Sequence, residues 1–184
     1  IIKKIQFNSK NTFSFKLNKK FKIKDFQLES TIGMEKFLKQ NNFDLKNFFP
    51  KAKKEILFSN NKMKIKFKKN NLNILGEGAV LYQDNEDYIS YSLNNIDEKL
   101  KFKTNLKIKS NPFVINFLNF EKDNTKETII NLEGINYRNK YTQINFFSLK
   151  EGENVIKFKD LEFNKDIKFK DLNNFEINFT DIEN

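Results

Sequence analysis

Lysine and apolar residues alternate through "KMKIKFK", so that Met63, Ile65 and Phe67 share one side of an extended segment and Lys62, Lys64, Lys66 and Lys68 share the other. Period two is the signature of a strand with one buried face. Asn70 and Asn71 then punctuate the chain, and in "LNILGEGAVLY" the residues Leu72, Ile74, Gly76, Gly78, Val80 and Tyr82 again fall on one side. Two such runs around an asparagine pair predict a hairpin.

The pattern recurs with other residues. Ile89, Tyr91 and Leu93 align in "DYISYSLN"; Leu100, Phe102, Thr104, Leu106 and Ile108 align in "KLKFKTNLKIK"; Ile130 and Leu132 align in "ETIINLEG". The tail continues through "YTQINFFSL", "NVIKFKDLEF", "DIKFKDL" and "FEINFTDI". In "PFVINFLNF" both sides are apolar, so the inward side cannot be read at Val114, Leu118 and Phe120. Turn-forming clusters such as "QDNED", "NNIDE" and "KEGEN" separate the runs at roughly 10 to 15 residues. The expected fold is mainly β: a long, curved antiparallel meander, either an open groove or a sheet folded over itself as a sandwich.

One region breaks the rhythm. Met34, Phe37 and Leu38 fall at helical spacing, and Asp44 is placed to cap a turn carrying Leu45, Phe48 and Phe49 before Pro50. One or two short helices are expected near residues 31–50, plugging or capping an end of the sheet. No Ser/Gly linker divides the chain, and alternation is already running at Ile1. Residues 1–184 are read as a single β-rich segment, an excerpt of a longer repetitive β protein. Gly76 and Gly78, on the apolar side of their strand, are expected where the sheet bends, bulges or admits another group closely.

Composition narrows the chemistry more than it names it. The chain has no Cys and no His, which removes thiolate nucleophiles, His-activated serine or threonine, and His- or Cys-ligated zinc. "GEGAVL" has Leu81 at the third glycine position of a dinucleotide fingerprint, and a strand runs on through it. Glu77, Asp84, Glu86 and Asp87 are the acids closest together, and most of them sit in an expected turn. No enzymatic activity, cofactor or metal is expected.

Charge adds one asymmetry. Residues 1–70 hold 19 lysines against 5 acids, within a chain whose net charge is +10. A basic end suits anionic phosphate, of lipid headgroups or of nucleic acid. The same lysines alternate with core positions as any wet strand face does. No apolar run approaches the roughly 20 residues that cross a bilayer, so a membrane anchor is expected outside this stretch.

The run "FFPKAKKEILFSNNKMKIKFKKNNLNILGEGAVLYQDNEDYISYSLNNIDEKLKFKTNLKIKSNPFVINFLNFEK" resembles the central repetitive β region of the AsmA-like family of envelope proteins, in its strand rhythm, its "GEG" within a strand and its step into "NPFVINFLNFEK". The resemblance extends over roughly residues 20–180 and implies a curved sheet with an apolar inner groove. It also implies an inner-membrane anchor and a place at the periplasmic face of that membrane, where phospholipid passes toward the outer membrane. The expected partners are phospholipid acyl chains, with other envelope proteins at the ends and no nucleic acid. Groove candidates are Met63, Ile65, Phe67, Leu72, Ile74, Leu100, Phe102, Leu106, Ile108, Phe113, Ile115, Phe117, Ile130 and Leu132. Two other readings stay open: a structural or adhesive β domain of a surface or phage protein with a closed core, and a basic nucleic-acid-binding module.

Overall fold

The computed structural model describes residues 2–42, 44–165 and 168–178. In chain order the strands are β1 (Ile2–Leu17), β2 (Ile23–Gln40), β3 (Glu55–Lys68), β4 (Asn71–Leu81), β5 (Asp87–Ile96) and β6 (Lys99–Ile108). They continue with β7 (Val114–Ile115), β8 (Phe120–Glu121), β9 (Thr128–Tyr137), β10 (Tyr141–Glu151), β11 (Asn154–Asn164) and β12 (Phe169–Asn178). Ten of them form one antiparallel sheet in the order β1-β2-β3-β4-β5-β6-β9-β10-β11-β12. The short β7 and β8 make a separate hairpin around a one-turn 3-10 helix, Asn116–Leu118. Residues 166, 167 and 179–184 of the expected tail strands lie outside the described residues.

The sheet is open. β1 and β12 are its edges and do not pair with each other, and the ten strands pack side by side in a single layer. Of the two expected arrangements, the folded-over sandwich is therefore absent among the described residues. Lysines at positions 3, 4, 10 and 16 sit along the β1 edge, where charge discourages unwanted strand pairing.

Alternation carries across the registers. Ile65 stands opposite Ile74, Ile74 opposite Leu93, Leu93 opposite Phe102, and Phe102 opposite Gly134. Because paired residues point the same way, one face of the sheet is built from the apolar set. The lysines Lys62, Lys64, Lys66 and Lys68 are exposed on the other. Lys66 pairs there with Glu29 at 3.2 Å and Lys103 pairs with Glu133 at 2.5 Å, contacts that add little to stability at such exposure.

The β3–β4 hairpin turns on Lys69 and Asn70, with φ of 48° and 61°, while Asn71 already pairs with Lys68 in the ladder. Two successive left-handed residues match the twist of the strands in a two-residue turn, but a lysine in that conformation is disfavoured. Replacing the pair by Asn-Gly (Lys69→Asn with Asn70→Gly) should raise the unfolding free energy by about 1 kcal/mol. Urea denaturation measures it, and an unchanged midpoint would show that the turn is not strained.

The one or two short helices expected near residues 31–50 are absent among the described residues: β2 runs through Gln40. The three-residue step from Met34 to Phe37 comes instead from a bulge. Along β2, Met34 lies opposite Phe7 and Asn61, and Phe37 lies opposite Ile5 and Phe58, so Glu35 is the extra residue that moves the inward positions from even to odd. Asn60, with φ of 51°, makes the matching irregularity between β3 and β4. A second such place crosses β9 to β11 at Asn145 and Asp160, the latter at φ 55°. Bulges bend a strand and increase its twist.

A single turn survives from the expected helices. The Leu45 carbonyl accepts the N–H groups of Phe48 and Phe49 at 3.1 and 2.8 Å, and Asp44 Oδ1 accepts the Lys46 N–H at 3.2 Å. This segment docks onto the β7–β8 hairpin: the Val114 N–H donates to the Phe48 carbonyl at 2.9 Å, and the Phe49 ring lies 5.1 Å from Phe113 and 4.9 Å from Tyr82. Together they cover one margin of the apolar face with a core of Ile108, Phe113, Ile115, Phe120, Leu149 and Ile156. We call this cover the plug.

A candidate apolar groove

Met63, Ile65 and Phe67 on β3, Leu72 and Ile74 on β4, Leu100, Phe102 and Leu106 on β6, and Ile130 and Leu132 on β9 all lie on the apolar face and are half-buried. Ile108 shares that face but is fully buried beneath the plug. Phe113 and Ile115 do not line the sheet. They belong to the plug itself, at 4% and 3% exposure, because "NPFVINFLNF" folds as a small hairpin rather than as a strand of the sheet. The side chain of Phe117 lies outside what the structure describes.

The groove candidates named from the sequence leave out part of this face. Leu93 and Ile89 on β5 stand opposite Phe102 and Leu106. Phe147 and Leu149 on β10 stand opposite Leu132 and Ile130, and Phe158 and Ile156 on β11 follow in register. The rings of Phe147, Phe158 and Phe175 stack in series at 5.0 and 4.9 Å. The signal was present for β5, whose alternation is plain, and was masked in β10 by the bulge at Asn145.

The two strand glycines are points of close approach. A Cβ on Gly76 would fall 2.3 Å from Cζ of Tyr91, whose ring lies across the glycine from β5, and a Cβ on Gly78 would fall 2.6 Å from the Asn61 Cα. Asn61 sits beside the β3 bulge and donates from Nδ2 to the Ser59 and Ala79 carbonyls at 2.9 and 3.0 Å. Gly134 takes the Phe102 ring in the same way. Burial on this face pushes the Tyr91 phenol above its ordinary range.

The acids grouped in the sequence separate in space into structural tasks. Glu77 accepts the Tyr88 hydroxyl at 2.7 Å, Glu86 accepts the Ser59 hydroxyl at 2.7 Å, and exposed Asp84 pairs with Lys51 at 2.9 Å, which holds its carboxyl below the usual range. Asp87 is buried and accepts from the Lys109 N–H at 3.1 Å and from Asn111 Nδ2 at 2.7 Å. Asn111 also exchanges hydrogen bonds with the backbone of Asn85 at 3.0 and 2.7 Å. Beside this network the Tyr82 phenol is pushed well up, first by burial and then by the Asp87 charge. Among the described residues no group of three or more acids, His or Cys is placed to hold a metal ion.

Opposite the plug the face is uncovered and ends in hairpin tips. There a cavity of about 360 Å³ has a floor of Leu72, Ile74, Leu93 and Leu100, with Asn95 and Asn136 above it and Asp97, Glu98 and Arg138 at its lip. A wider depression of about 690 Å³ spreads over β1 to β5 and takes in Lys10, Lys62 and Lys64 as well as Ile32, Met63 and Tyr91. Its lining alternates between the two faces of the strands, so it offers no continuous apolar floor. What the smaller cavity and the rows leading to it offer is a smooth hydrocarbon surface with polar groups along one side. Comparison with family models, with curated proteins and with solved structures found no match.

Proposed function

We propose that the apolar face holds phospholipid acyl chains, as the periplasmic part of an inner-membrane-anchored AsmA-like protein through which phospholipid moves toward the outer membrane. The observation that carries this reading is the single layer: ten strands turn aligned apolar rows to one side, and the plug covers only one margin of them. An apolar surface of that extent is unfavourable in water and marks a place where something apolar belongs. Each acyl CH₂ removed from water gains about 0.8 kcal/mol. Uniform rows without a fixed polar partner hold a chain by area alone, so it slides without breaking specific bonds. The closed-core alternative needs a second layer over Ile65, Ile74, Leu93 and Phe102.

The test is the lipid content of the purified protein. Solvent extraction and native mass spectrometry should recover bound phospholipid from the parent chain. Leu93→Lys, which puts a charge in the middle of the face, should lower it several-fold, while Ser92→Lys on the lysine-bearing side should leave it unchanged. Folded protein free of lipid, and unable to take it up from vesicles, would overturn the reading.

A further inference from the structure

The hairpin tips opposite the plug carry charges beside the cavity. Asp97 and Glu98 are the two turn residues between β5 and β6, Arg138 follows the last residue of β9, and all three line it; the two acids also border a depression on the lysine-bearing side. Apolar floor, then amide, then charge is the order met on moving out of the cavity. The two tips are tied together by the Arg138 N–H, which donates to the Glu98 carbonyl at 2.9 Å. Arg138 is the single arginine in a chain otherwise supplied with lysine, and its planar fork suits phosphate oxygens as an ammonium does not. Neighbouring Lys99 does not compete, since its Nζ lies 5.5 Å over the Tyr137 ring on the opposite face. Among the described residues, none of the ion pairs joins Arg138 to Asp97 or Glu98.

We infer that this lip is a headgroup site for a zwitterionic glycerophospholipid, with Arg138 taking the phosphate, Asp97 and Glu98 taking the ammonium, and Leu72, Leu93 and Leu100 beneath the acyl chains. The inference rests on the acyl-chain reading above and adds a polar specificity to it. Opposite charges at one lip match a headgroup that carries both. A headgroup with phosphate but no ammonium satisfies Arg138 and leaves the two carboxylates facing it without a partner. The cavity volume of about 360 Å³ is in the range of small-ligand sites, enough for the headgroup and the first part of the chains, with the remainder lying along the rows.

Native mass spectrometry with detergent-solubilised dioleoyl phosphatidylethanolamine, dioleoyl phosphatidylglycerol and dioleoylglycerol tests it. The parent chain should bind the phosphatidylethanolamine most tightly and the dioleoylglycerol least. Arg138→Gln should weaken both phospholipids by about tenfold, without changing dioleoylglycerol. Asp97→Asn with Glu98→Gln, in which asparagine retains the left-handed turn at φ 53°, should instead make the two phospholipids equal. Binding of all three lipids that ignores these substitutions would overturn the headgroup site and leave the acyl-chain reading standing. Failure of the parent chain to bind any of the three would remove both.

Discussion

Truncation of Leu149 to alanine should destabilise the protein by about 3–5 kcal/mol, a large part of the 5–15 kcal/mol typical of a folded domain. Leu149 has 0% exposure and lies between Ile130 of β9 and Ile156 of β11, beneath the plug. The aromatic and branched residues clustered with it come from β6, β9, β11 and the plug, so the cavity left behind cannot collapse by a local shift. The same truncation at Phe13, whose side also faces inward but which is 64% exposed on the edge strand β1, should cost under about 0.5 kcal/mol. Urea unfolding of the two variants gives the comparison. Equal losses at the two sites would mean that the uncovered face is packed in solution as firmly as the plug.

Asn111→Ala should cost about 2–4 kcal/mol, for a different reason. Its side chain is fully buried and satisfies Asp87 Oδ2 together with the N–H and carbonyl of Asn85. Removing it leaves Asp87 Oδ2 buried without that donor, at about 1–3 kcal/mol before relaxation, and breaks two bonds to the part-buried backbone of Asn85. Asp87 is the most sensitive of them, because a buried carboxylate with one donor lost is poorly solvated. If the network is the cause, Asp87→Ala combined with Asn111→Ala should cost clearly less than the two separately. Strictly additive losses would show that Asn111 acts through packing of the 109–113 segment alone.

Most of the sheet was legible in the sequence because one face is wet and the other is not. In β6, and in β3 from Lys62 onward, every second residue is lysine or another polar residue, and such stretches announce their orientation. Legibility failed where an extra residue enters a strand. At Glu35 the bulge produces a three-residue apolar step that imitates a helix, and at Asn145 it sets Ile144 and Phe147 inward three residues apart, with Phe146 turned out opposite Glu133. Nothing local distinguishes those patterns, since the pairing that resolves them is with residues far along the chain. The sequence points to a cover only through helices near residues 31–50 and reads "PFVINFLNF" as a strand; that stretch is apolar on both sides because it packs with Phe49, Leu149 and Ile156 in the plug. At the lip, the turn positions of Asp97 and Arg138 were legible from the ends of the alternating runs, but their proximity depends on β6 pairing with β9 across the inserted hairpin.

A single-layer meander in chain order also sets how disturbances spread. Away from the plug, among the described residues, each strand leans only on its neighbours in the sheet, so the sheet behaves as a one-dimensional stack in which stability is a sum of adjacent couplings. The strongest couplings are those under the plug, across β6, β9, β10 and β11. Amide hydrogen exchange should therefore be slowest there and quicken stepwise toward β1 and β12. The margins can peel, rejoin or accept a neighbour while the middle stays folded.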